Sequence, residues 1–145
     1  MAENQTVVIR APLSGVIVPL ERVPDPVFSQ KMVGDGVSID PTSVDLLAPC
    51  DGRIVQIHKA NHAVTIETPE GVEVMMHVGI DTVALKGRGF QLRTDEGTEV
   101  KAGDTLLTFN ADYVATHAKS LLTQIVITNG ERVSTYVPAS GVVRA

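Results

Sequence analysis

His62 and His77 are the residues of this chain best placed to do chemistry. They close the segment HAVTIETPEGVEVMMH, in which two β-branched runs flank Thr68-Pro69-Glu70-Gly71. Proline at the second position and glycine at the fourth fit a type I turn. With Pro69 and Glu70 at the turn centre, Thr68 faces Gly71, Glu67 faces Val72, Thr65 faces Val74 and Ala63 faces Met76. On the other face Ile66 meets Glu73, Val64 meets Met75 and His62 meets His77. Directly opposed residues hold their Cβ atoms roughly 4.5–5.5 Å apart. A bulge that slipped the register by one residue would destroy the pairing. In this register Ala63, Thr65, Val72, Val74 and Met76 form the core face, while Val64 and Met75 rim the histidines as an apolar docking surface.

A neutral imidazole nitrogen is a good nucleophile near pH 7, and a phosphorylated imidazole passes its group on readily. A second imidazole beside it can hydrogen-bond the phosphoryl oxygens and donate where charge develops in the transition state. Crowding two rings disfavours charging both, which depresses one apparent pKa and keeps a nucleophile available. The same pair could supply two of the four ligands of a divalent metal, zinc above all. A partly buried structural pair would show the same spacing. His58 reads as a strand-surface residue, and His117 sits in the last turn of a candidate helix, where positive charge is favoured. Cys50, in a Pro-Cys-Asp-Gly turn, reads as structural.

The elements that must hold the pair are strands. Short β-branched runs at Thr6–Ile9, Gly15–Pro19, Gly52–His58, Ala63–Glu67, Val72–Val78, Thr105–Phe109 and Thr123–Thr128 alternate with Gly, Pro and Asp punctuation. That spacing predicts an all-β fold, a sandwich or barrel. Asn110 can cap a helix over Ala111–Lys119, and a short helical turn follows Pro24 and Pro26 near Val27–Met32. The motif APLSGVI returns as APCDGRI and again as VPASGVV, each a turn followed by a strand. Duplicated halves or chance recurrence of Pro-x-x-Gly turns would both produce it. TEVKAGDTL adds a hairpin expectation through Ala102-Gly103-Asp104.

With 145 residues and 43% apolar composition, a single domain over residues 1–145 with an ordinary core is expected. The formal charge of −5, the absence of Trp and the lack of a basic cluster argue against nucleic acid and anionic membrane as partners. No apolar run is long enough to span a bilayer, and a lone cysteine fits a reducing cytoplasm.

At this point the chain resembles the glucose-type IIA proteins of the phosphoenolpyruvate-dependent sugar phosphotransferase system. The likeness rests on VPDPVF, VGDG, NHA and above all HVGIDTVALKGRGF, and covers about residues 11–129. It implies an antiparallel β-sandwich of duplicated hybrid-motif type with one or two short helices and a shallow active-site depression. It implies that His77 accepts phosphate from the phosphocarrier HPr and passes it to a cysteine on the IIB domain of a sugar permease, with His62 in support. It also implies that Asp25 and Asp81 meet the basic face of HPr and that Phe28 docks partners. Regulated permeases or metabolic enzymes are further partners of such proteins. No cofactor is required on this reading. The chain departs from the family at Ala60, where a threonine hydroxyl often orients the supporting histidine, and at Val64 and Met75, where aromatics are common. A zinc hydrolase is the remote rival. His77 and Asp81 form HxxxD, but a catalytic zinc wants three protein ligands and an open position.

Overall fold

The computed structural model describes residues 6–145. The large sheet has eight strands. Its centre is β2 (Asp35–Pro41), β10 (Thr123–Ile127), β6 (Glu73–His77), β5 (Ala63–Glu67) and β4 (Gly52–Ile57). Beyond these lie β1 (Gly15–Pro19) and β11 (Val142–Val143) on one side and β8 (Glu99–Val100) on the other. A second sheet orders β3 (Asp45–Leu47), β9 (Thr105–Phe109) and β7 (Phe90–Leu92). All pairings are antiparallel. Leu46, Leu106, Leu107 and Phe109 of the small sheet share one buried cluster with Ile54, Val64, Ile66, Val74 and Met76 of the large one. That cluster is the interior of the sandwich.

The other face of the large sheet carries a smaller cluster of Leu20, Val23, Phe28, Ile80 and Val126, with Met75 packed against it. Phe28 comes from α1 (Pro26–Ser29). This helix is a single turn, started by Pro26 at its first position and by Asp25, whose carboxylate accepts the Val27 amide at 3.0 Å. Helix α2 (Ala111–His117) begins at Asn110, which caps the Tyr113 amide as the sequence predicts, and stops two residues earlier than the expected Lys119.

The β5–β6 register differs from the symmetric one. Ala63 faces His77, Val64 faces Met76, Thr65 faces Met75, Ile66 faces Val74 and Glu67 faces Glu73. The cause lies in the turn. Gly71 donates to the Thr68 carbonyl as a type I turn requires, but Gly71 itself has φ 88°, and the ladder resumes with the Thr68 amide bonded to Val72. This is a type I turn extended by a glycine bulge. The extra residue moves Val64, Ile66, Val74 and Met76 together onto the interior face. Burying each such side chain is worth roughly 1.5–3 kcal/mol, which outweighs the facing of Glu67 and Glu73, a like-charge cross-strand pair on a scale of about 0.2–1 kcal/mol.

Two other expectations change. Thr6–Ile9 forms no strand, although Val7 and Ile9 pack against the core. The Lys101–Asp104 turn is present, but β8 pairs with β4 and β9 with β3 and β7. It therefore carries the chain from one sheet to the other and closes no hairpin. The three Pro-x-x-Gly turns do each open a strand, at β1, β4 and β11.

Candidate functional site

The bulge should have separated the two histidines, yet their rings meet edge to face with centroids 4.7 Å apart. His62 escapes the pleat because it is the last loop residue before β5. The chain turns at His58–Asn61, where the Asn61 amide bonds the His58 carbonyl and Asn61 takes φ 64°. Asparagine tolerates this left-handed conformation better than most residues. The His62 carbonyl still accepts the Val78 amide at 2.8 Å, so the backbones remain adjacent while the His62 ring is free of strand alternation.

His77 ends β6 and is partly exposed. Its Nδ1 lies 2.9 Å from the Gly79 carbonyl oxygen and 3.1 Å from Oε1 of Gln124. A carbonyl oxygen only accepts, so Nδ1 carries the ring proton and Nε2 keeps its lone pair. Gln124 faces His77 across the β6–β10 pair, is fully buried, and donates its own amide to the Leu122 carbonyl at 2.6 Å. That bond aims Oε1 at His77. Gly79 has φ 80°, and a Cβ there would collide with the Thr82 side chain. The following segment is pinned by the Ile80 amide on the Ser120 carbonyl and the Lys119 amide on the Ile80 carbonyl. Phe28 lies against the His77 ring at 5.0 Å.

Burial disfavours charging either ring. Burial is the main cause that lowers the His77 pKa, opposed by the hydrogen bonds to Gly79 and Gln124 and by the nearby Asp25 charge. Burial, reinforced by the neighbouring His77 and His58, pushes His62 down to about 4. His62 is 2% exposed, and its Nδ1 makes no hydrogen bond of normal geometry among the described residues, although the Ala60 carbonyl pulls its pKa slightly upward.

The remaining candidates divide. Asp25 is half-buried and caps α1 through its carboxylate, and Asp81 is exposed at φ 59° four residues beyond His77 in sequence. Met75 is partly buried against the smaller cluster. Two expectations fail. Val64 is 0% exposed inside the sandwich, because the bulge turned it inward, and it cannot rim a docking surface. Phe28 is 4% exposed, so its ring backs His77 and does not present itself to a partner. Cys50 is buried, and burial, with Asp51 and Glu70, raises its thiol to about 11. That agrees with a structural role. His117 donates Nδ1–H to the Tyr113 carbonyl at 2.9 Å and stacks on the Tyr113 ring.

Two site residues escape the sequence reading. Gln124 is the lone amide in the apolar run TQIVI, and a buried polar side chain needs a partner. His58 is exposed, one residue past β4, with its ring 4.4 Å from that of His62. The HxxxH spacing of His58 and His62 around a turn was the available signal. No group of three His, Cys, Asp or Glu side chains suited to a metal occurs among the described residues. Two depressions of about 300 and 360 Å³ are lined by residues other than the histidine pair.

Comparison with known proteins agrees with this geometry. The family model for the phosphoenolpyruvate-dependent sugar phosphotransferase system, EIIA 1, matches residues 7–133. The chain is 45% identical over 132 residues to the PTS system glucose-specific EIIA component of Borreliella burgdorferi, covering 91% of this chain and 70% of the relative. It superposes on the glucose permease IIA from Mycoplasma capricolum with a TM-score of 0.93 at 37% identity, covering 99% of this chain and 94% of that one. The β-sandwich is the framework this likeness implies, and the chain belongs to the EIIA 1 family of the phosphoenolpyruvate-dependent sugar phosphotransferase system, as a phosphocarrier of glucose-type sugar uptake.

Proposed function

We propose that His77 is the residue that carries the phosphoryl group, and that Nε2 is the attacking atom. The supporting observation is the pair of acceptors on Nδ1, Gly79 and Gln124, which leaves the Nε2 lone pair as the nucleophile. HPr is the donor and a cysteine of a permease IIB domain the acceptor, in the cytoplasm. In the first step the Nε2–P bond forms as the donor's N–P bond breaks, and that electron pair stays on the donor's imidazole. Nδ1 keeps its proton throughout, and Gly79 and Gln124 stabilise the positive charge that the ring gains. In the second step the acceptor thiolate attacks phosphorus and the Nε2–P electrons return to His77, restoring the neutral ring. His62 supports the exchange by contributing a neutral imidazole beside the transferring oxygens.

Zinc hydrolysis is not favoured, because among the described residues the pair offers two donors, fewer than the three protein ligands of a catalytic zinc site; the pair could hold zinc as two of its four ligands only with donors supplied from outside it. The test is exposure to phospho-HPr followed by IIB. His77→Ala is expected to take up no phosphate, and His62→Ala to accept phosphate but pass it on slowly. Uptake of an equivalent acid-labile phosphate by His77→Ala, or full onward transfer by His62→Ala, would remove the corresponding role.

A further inference from the structure

Among the described residues Nδ1 of His62 makes no hydrogen bond of normal geometry, although the Ala60 carbonyl lies close enough to bear on the ring. Three other rings lie near it. His77 lies at 4.7 Å, His58 at 4.4 Å and Phe90 at 6.3 Å between centroids. His77 is the reacting group, and Phe90 is the most distant of the three. His58 is thus the close contact that belongs to neither the reaction nor the core. Its own ring is fixed. Nδ1 of His58 accepts the Ala60 amide at 3.0 Å, and the His58 carbonyl accepts the Asn61 amide at 2.8 Å. The loop that delivers His62 is therefore closed on both sides by His58. Ala60 brings no side-chain hydroxyl to hold the His62 ring, only its backbone carbonyl.

We infer that His58 is a positioning residue for phosphoryl transfer: its ring, tied to the Ala60 amide, holds His62 edge-on to His77. This rests on the proposed roles of His77 and His62. Transfer between two proteins depends on placing the supporting group, and a misplacement of about 1 Å can cost on the order of 100-fold. Packing against one exposed ring is a softer restraint than a hydrogen bond, so a loss of about tenfold is expected.

The test compares His58→Ala, His58→Phe and His58→Asn in the full chain. Transfer from phosphorylated protein to IIB is followed in single turnover, each variant normalised to the phosphohistidine it has accumulated. Nitrogen-15 NMR of the His62 ring is recorded in parallel. His58→Ala should slow onward transfer about tenfold and shift the His62 ring resonances. His58→Phe keeps a ring against His62 and should recover most of the rate. His58→Asn can keep the Ala60 bond but not the ring contact and should remain slow. Wild-type transfer by His58→Ala overturns the inference, as does rescue by Asn without rescue by Phe. If the wild-type protein accepts no phosphate at His77, it is the proposed function that fails, and this readout separates the two.

Discussion

Nδ1 of His77 has two oxygen acceptors within 3.1 Å, and this leaves Nε2 as the nitrogen with a free lone pair. The same surroundings tie the site to stability. His62 holds a proton less tightly in the fold, with a pKa of about 4 against an ordinary 6.5. Between those pH values the unfolded chain binds more protons, so stability rises with pH. The contribution is complete above pH 6.5 and is lost as pH falls toward 4. Its ceiling is about 3 kcal/mol, and His77 acts in the same direction. Urea titrations of wild type and His62→Gln at pH 7 and pH 4 measure it. Wild type should lose up to about 3 kcal/mol more than the variant over this range. Equal losses would mean that His62 is solvated enough to titrate normally.

At the scale of elements, the β5–β6 hairpin shows what was legible in the sequence and what was not. The strands Gly15–Pro19, Ala63–Glu67 and Thr105–Phe109 appear at the residues that β-branched composition indicates. Proline and glycine placed the turn at the correct four residues, but a type I turn and its bulged extension share that composition, and only the backbone of Gly71 distinguishes them. The sequence reading therefore paired His62 with His77 for the wrong reason. The contact survives because His62 belongs to a loop. Strand β2, DGVSIDP, was missed because Asp, Gly and Pro read as punctuation; pairing to β1 and β10 on both sides overrides that preference. Gly71→Ala tests the bulge. Forcing a Cβ into φ 88°, with Arg132 Nη1 only 3.2 Å from it, should cost about 1–2 kcal/mol in denaturant unfolding. Gly71→Asn should recover part of the loss, since asparagine enters that region more easily. No loss in the alanine variant would indicate that the turn relaxes to the symmetric form.

The whole molecule carries a formal charge of −5; Asp25 at the α1 cap acts electrostatically on the His77 ring, and Asp81 is exposed four residues beyond it in sequence. Their removal should act on encounter more than on chemistry, because charge complementarity mainly sets association rates. If the acidic pair steers the proposed donor HPr, Asp25→Asn combined with Asp81→Asn should slow association with it about tenfold at low ionic strength. The difference should shrink at high salt, where exposed charges are screened. Stopped-flow association over a salt series reads this directly. An unchanged rate at low salt would move the electrostatic docking surface elsewhere. Among the described residues no helix is long and apolar enough to cross a membrane.

The most direct measurement is incubation with phosphoenolpyruvate, enzyme I and HPr, followed by mass mapping of the modified peptide and NMR assignment of the phosphorylated nitrogen. The expected product is one phosphoryl group on Nε2 of His77. Phosphate on His62, attachment through Nδ1 of His77, or an unchanged mass would contradict it.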